Sequence, residues 1–302
     1  MYVIAIFYNV LGTALALFFW SHPLSWTFLA LQVALAVWPL EPVPDFGRKL
    51  IQFSSESGAA YFPVTMHADS PESFTSHSKP YIIGYEPHST LPIAMPIAFN
   101  DSSLVLPKGL THVRQLASSI CFYIPLVRQL WWWLGVRPVS KENIKRLLSQ
   151  GHSVVLCPGG VREIFYMEKG REVAFLSKRQ GFVKLAIQQG VDIIPCFAFG
   201  QTASYDWWKP GPPIVPLKFV HWVSRSLGYI PLLIWGVMGS PIPKQVPMRL
   251  FLGAPIPVTQ SNTPLQSEID ETLQKFIEAM KSLYNQHKVE AGYAESVQLH
   301  VY

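Results

Sequence analysis

Two long apolar runs occupy the first forty residues of the chain, with a short polar break between them. No charged residue occurs between Met1 and Leu40, and the runs cover residues 3–20 and 24–40. A helix that crosses a bilayer needs about 20 apolar residues, so both runs are at the short end of the usual range. The pattern predicts a helical hairpin over residues 1–40 that is either membrane-spanning or re-entrant.

Segments typical of strands and of helices alternate along the rest of the chain. Short runs of bulky and β-branched residues predict strands at residues 81–85, 111–116, 153–157, 191–197 and 248–252. Amphipathic stretches predict helices at residues 141–150, 178–189 and 264–288, the last with a capping-box spacing that starts at Thr263. The alternation predicts an α/β catalytic domain over residues 41–302, in which helices flank a mixed sheet.

Residues 207–243 interrupt this alternation. The segment contains four tryptophans, many prolines and the run GYIPLLIWGVMG, which is too broken for a membrane span. Aromatic side chains are common where proteins meet the membrane–water interface. We interpret the segment as an interfacial or substrate-lining insertion, with ordinary core aromatic residues as the alternative.

The composition narrows the class of protein. Only 14% of the 302 residues are charged and 49% are hydrophobic, whereas a soluble domain carries about 25% charged residues. The net charge of +5 is spread along the chain, which favours a membrane surface or a small anionic substrate over nucleic acid. The three cysteines lie far apart in apolar surroundings, so neither a disulfide framework nor a zinc site is expected.

A histidine follows the first predicted strand of the domain, in the sequence YEPHST. Pro87 restricts the backbone on both sides of itself and therefore stiffens the chain next to His88. An imidazole can accept a proton near neutral pH, so His88 is a candidate general base for a hydroxyl that attacks an ester or thioester. A purely structural histidine is the alternative for this residue taken alone.

A glycine turn follows another predicted strand, in the sequence CPGGVRE. The backbone N–H groups of Gly159 and Gly160, with the positive charge of Arg162, are typical of sites for phosphate or a developing oxyanion. Glu163 is a candidate for orienting the imidazole. The alternative is an ordinary glycine turn.

Three cations cluster at the start of the next predicted helix. Lys178, Arg179 and Lys184 lie in and after the sequence KRQGF. Positive charge at a helix start suits the phosphates of a nucleotide. A solvated basic face is the alternative.

These segments, taken together, resemble the acyl-CoA:diacylglycerol acyltransferase type 2 family. The motifs YFP, EPHS, GGVRE, RQGFVKLAIQQG and IIPCFAFGQ occur in the family's order over nearly the whole chain. EPHS, in place of the HPHG of animal members, resembles the plant-like branch. The resemblance implies a membrane enzyme of the endoplasmic reticulum, or of the lipid-droplet surface, with its catalytic domain facing the cytosol.

The resemblance also implies the reaction and the residues that carry it. The enzyme would transfer a fatty acyl group from acyl-CoA to the free hydroxyl of diacylglycerol, forming triacylglycerol, with acyl-CoA as a co-substrate and no cofactor or metal. The implied catalytic residues are His88, Glu163 and Glu86. The implied substrate-binding residues are Tyr61, Phe62, Pro63, Pro87, Ser89, Gly159, Gly160, Arg162, Lys178, Arg179, Gly181 and Phe182. A homo-oligomer is left open.

Two positions depart from related patterns. Glycerolipid acyltransferases with a His-x4-Asp motif carry an aspartate where Ile93 stands here, so the carboxylate that orients His88 must come from elsewhere, and Glu163 is preferred over Glu86. Gln201 stands where the family usually has a glutamate, which argues against a charged role there. Monoacylglycerol or a fatty alcohol as acceptor, hydrolysis by water, and a non-catalytic lipid-binding protein on the same fold are the alternative functions.

Overall fold

A mixed seven-stranded sheet forms the centre of the fold in the computed structural model. The structure describes residues 2–74, 79–107, 109–110, 112–212, 214–227 and 232–302. The strands within these ranges are β1 Val64–Ala68, β2 Ile82–Glu86, β3 Val113–Ala117, β4 Val136–Pro138, β5 Ser153–Leu156, β6 Glu172–Ala174, β7 Ile193–Phe199, β8 Asp206–Trp208, β9 Leu233–Trp235, β10 Met248–Leu252 and β11 Leu299–Val301. The α-helices there are α1 Tyr2–Phe18, α2 Pro23–Val37, α3 Asp45–Tyr61, α4 Ala94–Ala98, α5 Val127–Trp133, α6 Lys141–Ser149, α7 Gly181–Gln189, α8 Leu217–Leu227 and α9 Gln266–His287.

The central sheet has the strand order β1-β10-β7-β2-β5-β3-β4. Neighbouring strands are parallel except for β10 and β7, which are antiparallel, so β1 and β10 run opposite to the other five. The predicted mixed sheet is therefore confirmed. Two small sheets, the parallel pair β6 and β11 and the antiparallel pair β8 and β9, lie outside it.

Both faces of the sheet are covered by apolar side chains. Successive residues of a strand point to opposite faces, and the neighbours Ile82 and Ile83 belong to two different core clusters and are both fully buried. One cluster joins the sheet to α6, α7 and α9, and the other joins it to α3 and α4. Burial on both faces explains why the inner strands are continuous apolar runs in the sequence.

Two helices begin closer to the carboxyl terminus than the sequence predicts. Helix α7 begins at Gly181, so Lys178 and Arg179 precede the helix instead of forming its first turn. Helix α9 begins at Gln266, and the Glu268 carboxylate accepts the N–H of Leu265 at 2.7 Å. The helix therefore has a capping carboxylate, but Glu268 lies two residues after the position that a capping box starting at Thr263 predicts.

The two apolar runs at the amino terminus form the helices α1 and α2. They are 17 and 15 residues long, they pack against each other, and the Asn9 side chain donates to the carbonyl of Pro125 at 2.9 Å. Of the helices in the described ranges, none combines the length and the apolar character needed to cross a bilayer. The predicted pair of helices is present, and its membrane-spanning form is not supported.

The interrupting segment 207–243 contains β8, α8 and β9. Pro213 and residues 228–231, which include the start of the GYIPLLIWGVMG run, lie outside the described residues. Two hydrogen bonds attach the carboxyl end of the segment: the Tyr205 hydroxyl donates to the carbonyl of Pro241 at 3.0 Å, and the Tyr61 hydroxyl donates to the carbonyl of Pro243 at 2.7 Å. These bonds attach the segment next to the amino end of β1.

Candidate active site

The sequence motifs meet at one edge of the central sheet. Strands β2, β5 and β7 are parallel, so their carboxyl ends share this edge. Strand β10 is antiparallel to β7 and parallel to β1, so the amino ends of β10 and β1 lie there too. The adjoining segments are residues 61–63, 86–89, 157–163, 200–201 and 247–248. In α/β folds, sites form at the carboxyl ends of parallel strands.

The His88 ring lies just past the end of β2 and is partly exposed. Its Nδ1 lies 2.9 Å from the backbone carbonyl oxygen of Ser89, an atom that can only accept a hydrogen bond. Nδ1 of the neutral ring therefore carries the proton, and Nε2 keeps the lone pair. The ring is in the tautomer that a general base acting through Nε2 requires.

The Glu163 carboxylate holds the backbone around His88. Oε1 accepts the N–H of His88 at 2.6 Å and that of Ser89 at 3.3 Å, and Oε2 accepts the N–H of Phe175 at 3.2 Å. We expected Glu163 to orient the imidazole directly. Among the described hydrogen bonds, the carboxylate instead contacts the main chain, and a backbone carbonyl orients the ring. The reason is that the glycine turn after β5 brings Glu163 under the loop instead of beside the ring.

Glu86 and Glu163 form a buried pair of carboxyl groups. Both side chains are completely buried, and burial together with the neighbouring Glu163 raises the pKa of Glu86 well above its ordinary value. Oε1 of Glu86 accepts the N–H of Gly159 at 2.9 Å, and no donor among the described residues reaches Oε2. Because both oxygens of Glu163 accept N–H groups, the proton of the pair belongs on Glu86.

Gly159 leaves room for this pair. A Cβ atom at this position would lie 2.5 Å from Oε2 of Glu163 and 3.3 Å from Oε1 of Glu86. A side chain there would therefore collide with the carboxyl groups, so it is this contact that requires glycine, since the φ of −58° suits any residue.

The Arg179 guanidinium supplies positive charge beside the glycine turn. It donates to the carbonyl of Gly159 and lies 5.3 Å from the centre of the Phe175 ring. Partial burial, followed by repulsion from Arg162, lowers the pKa of Arg179 from its ordinary value. The repulsion means that Arg162 and Arg179 are near each other, and Arg162 is exposed. Two cations therefore lie at the edge of the sheet next to Gly159.

Other predicted binding residues have different surroundings. Phe182 is buried and packs against Phe276 with 5.1 Å between ring centres, so it belongs to the core. Phe62 is also buried in the core, although Pro63 beside it is exposed at the site edge. Lys178, Gly181 and Lys184 are exposed around the start of α7. Phe182 and Phe62 shape the fold that positions the site and offer little surface to a substrate.

Cys157 lies at the end of β5 near the carboxyl pair. Burial, followed by the neighbouring carboxyl groups of Glu86 and Glu163, raises the pKa of this thiol well above its ordinary value. The thiolate is the nucleophilic form of cysteine. The surroundings of Cys157 therefore oppose a covalent acyl-cysteine route.

Two buried polar residues at this edge were not predicted as site residues. Gln201 follows β7, and its side chain contacts the segment that carries His88. Glu172 accepts hydrogen bonds from Thr202 at 2.6 Å and from Tyr293 at 2.8 Å, and burial raises its pKa to about 7. A polar residue directly after a glycine at a strand end was the available signal for Gln201. Glu172 gave no comparable signal, because its partners are distant in the chain.

Comparison with known proteins identifies relatives for most of the chain. The family profile described as "Diacylglycerol acyltransferase" matches residues 20–302. The chain is 30% identical over 240 residues to "Diacylglycerol O-acyltransferase 1" of Schizosaccharomyces pombe, and the aligned region covers 76% of this chain and 68% of that protein. It is 29% identical over 242 residues to "Diacylglycerol O-acyltransferase 2" of Danio rerio, and the aligned region covers 72% of this chain and 64% of that protein.

One solved structure is also similar over nearly the whole chain. It is the crystal structure of the 1-acyl-sn-glycerophosphate (LPA) acyltransferase PlsC from Thermotoga maritima, with a TM-score of 0.49 and 11% sequence identity. The alignment covers 96% of this chain and 99% of that one. The assignment to a family depends on the sequence matches alone.

Proposed function

The chain belongs to the diacylglycerol acyltransferase family, and we propose that His88 is the general base with which it transfers a fatty acyl group from acyl-CoA to diacylglycerol. The product of this reaction is triacylglycerol. The observation that carries the assignment of the base is the ring geometry: Nδ1 bonds to the carbonyl of Ser89, and Nε2 keeps its lone pair at a partly exposed position.

The proposed reaction is a direct transfer between the two substrates. Nε2 of His88 takes the proton from the acceptor hydroxyl, whose oxygen attacks the thioester carbonyl carbon. The C–S bond then breaks, the imidazolium gives the proton to the departing sulfur of coenzyme A, and the new ester remains with His88 neutral again. The raised pKa of the half-buried Cys157 thiol is consistent with a route that has no acyl-enzyme.

Arg162 and Arg179 supply the proposed contact with the acyl donor. Coenzyme A carries phosphates, and the thioester oxygen gains negative charge as the hydroxyl attacks. Fixed positive charge next to that oxygen stabilises the transition state. The exposed Arg162 suits the phosphates, and the half-buried Arg179, which is held by Gly159, suits the reacting carbonyl.

A bilayer surface is the proposed source of the diacylglycerol. Helix α8 exposes Phe219 and Trp222, and Met238, between β9 and β10, is 99% exposed. The Lys209 ammonium, just after β8, donates to the carbonyl of Phe165 at 2.6 Å, which joins this apolar segment to the turn that carries Glu163. An enzyme whose acceptor dissolves only in lipid needs such an apolar surface beside its base. We propose that the enzyme lies on the cytosolic face of the endoplasmic reticulum, as the resemblance to its family implies.

An acceptor panel tests the proposed function. We expect membranes that contain the protein and labelled acyl-CoA to transfer label to triacylglycerol when diacylglycerol is supplied, because the chain belongs to the diacylglycerol acyltransferase family. Parallel samples contain monoacylglycerol, a fatty alcohol or no acceptor. Label that stays in acyl-CoA with every acceptor would reject an enzyme, and label released as free fatty acid without acceptor would indicate a hydrolase.

Charged substitutions on the exposed apolar segment test the bilayer contact. Burial of a large apolar side chain contributes about 1.5–3 kcal/mol, so Trp222→Glu and Met238→Glu should each raise the apparent KM for diacylglycerol in vesicles roughly 10-fold. The KM for a dispersed short-chain diacylglycerol should not change. Val289→Glu is the matched control, because Val289 is exposed and follows α9, where His287 bonds to Asp69 at the opposite edge of the sheet. An equal rise in KM for Val289→Glu would contradict the contact.

A further inference from the structure

The Gln201 side chain joins both ends of the loop that carries His88. Nε2 of Gln201 donates to the carbonyl of Pro87 at 2.6 Å, directly before the histidine. Oε1 accepts the N–H of Ala94 at 3.2 Å, at the far end of the loop, and also the Tyr85 hydroxyl at 2.5 Å. Gln201 is completely buried. Its three hydrogen bonds therefore act as a clamp in a site that water does not reach.

Gly200 places Gln201 below the loop. It has a φ of +86°, and a Cβ atom there would lie 2.1 Å from the carbonyl oxygen of Pro247. Only glycine fits this left-handed turn against the neighbouring strand. The Ser204 hydroxyl then donates to the carbonyl of Gln201 at 2.6 Å, which fixes the main chain after the turn.

The clamp requires one donor and one acceptor on the same side chain. The Pro87 carbonyl can only accept, and the Ala94 N–H can only donate, so an amide satisfies both. An ionised carboxylate would place an oxygen against the Pro87 carbonyl, with no proton between them. A protonated carboxyl would restore the donor. The chemistry of the site therefore accepts glutamine, or glutamic acid only while it holds its proton.

We propose that Gln201 is a positioning residue for His88 and that its amide holds the 87–94 loop in the geometry of proton transfer. The inference rests on the proposed role of His88 as base. Glu163 holds the loop by the N–H groups of His88 and Ser89, and Gln201 holds it by the flanking residues, so the two side chains contact different atoms of one segment.

The pH profile of Gln201→Glu tests the proposal. Burial raises the pKa of a carboxyl group, so the variant should be active at about pH 6, where it can donate to the Pro87 carbonyl. A misplacement of about 1 Å costs up to about 100-fold in rate, so kcat should fall at least about 10-fold relative to the unaltered protein as the pH rises to about 8.5. The KM for acyl-CoA should stay within roughly 2-fold, since the loop positions the base and not the donor.

Other titrating groups near the clamp are present in both proteins. Tyr85 contacts the side chain itself, Glu172 bonds to Thr202, and Tyr293 donates to Glu172 and accepts the N–H of Gly200. Glu86 and Cys196 lie around Tyr85. The measured quantity is therefore the ratio of the variant's kcat to that of the unaltered protein at each pH, in which these shared titrations cancel.

Two further variants complete the test. Gln274→Glu makes the same substitution on the exposed face of α9 and should leave the pH profile unchanged. Gln201→Met keeps the length of the side chain and removes both polar groups, so its kcat should be about 10- to 100-fold below that of the unaltered protein at every pH. This variant tests the proposal if Gln201→Glu does not fold. An unaltered profile for Gln201→Glu, or an unaltered kcat for Gln201→Met, would overturn the inference. Full activity of His88→Ala would instead overturn the proposed function.

Discussion

Replacement of His88 by alanine should lower kcat by about 100- to 10,000-fold, the range that general-base catalysis contributes. The substitution removes the proposed proton acceptor and leaves the proposed acyl-CoA contacts of the arginines in place, so the KM for acyl-CoA should change little. The fold should persist, because the ring is partly exposed and its described hydrogen bond is to the adjacent residue. Acyl transfer to diacylglycerol in vesicles, together with thermal unfolding in detergent, measures both quantities.

His67→Ala is the matched control for this prediction. His67 is exposed near the carboxyl end of β1, at the opposite edge of the sheet, where its ring stacks on Phe251 with 5.3 Å between centres. Its loss should leave kcat within about 3-fold, since it has no part in proton transfer. A His88→Ala protein that keeps a normal kcat would remove the basis of the proposed reaction.

Glutamine substitutions of the two buried carboxyl groups should have different effects on kcat. Glu163→Gln puts an NH2 group where a carboxylate oxygen accepts backbone N–H groups, so either the N–H of Phe175 or the N–H groups of His88 and Ser89 lose their acceptor. We expect kcat to fall about 100-fold through misplacement of the loop. An unsatisfied buried N–H costs about 1–3 kcal/mol in stability.

Glu86→Gln should be nearly neutral. The Glu86 carboxyl is the protonated member of the pair, and an amide can accept the N–H of Gly159 with its oxygen and donate toward Glu163 with its NH2 group. We expect kcat within about 3-fold of the unaltered protein, because this substitution replaces one neutral hydrogen-bonding group by another. Both variants exchange a buried carboxyl group for an amide of the same size, so each is the control for the other. Equal losses in both would contradict the assignment of the proton to Glu86.

The same pair makes stability depend on pH in a defined direction. Burial and Glu163 raise the pKa of Glu86 in the folded protein above its ordinary value of 4.5. The contribution of Glu86 to stability is therefore fully present below about pH 4.5 and is lost as the pH rises through the raised folded-state value. Glu86→Gln removes this loss, so its stability advantage over the unaltered protein should grow from about pH 5 to pH 8 in thermal unfolding. Glu172 titrates in both proteins and does not affect the difference.

About half of the described strands and helices followed from the sequence. The apolar runs of β5 and β10 and the periodic helices α6 and α9 were predicted within a few residues, because each element has its own hydrophobic period and end signals. The start of α7 was placed three residues early, since Lys178 and Arg179 are acceptable in a helix by propensity. Strands β6 and β11 were missed because their partner lies more than a hundred residues away in the chain.

The sequence by itself determined the fold class, the family and the identity of the candidate base, because these depend on local patterns and on short motifs in a recognisable order. Only the tertiary structure decided what the carboxyl groups and Gln201 do. Glu163 contacts main-chain N–H groups and not the imidazole, burial and the neighbouring Glu163 raise the pKa of Glu86, and Gln201 reaches Pro87 across 114 residues of chain. Hydrogen-bond partners and pKa values are set by distances in space, and a linear chain does not contain those distances until the strands have paired.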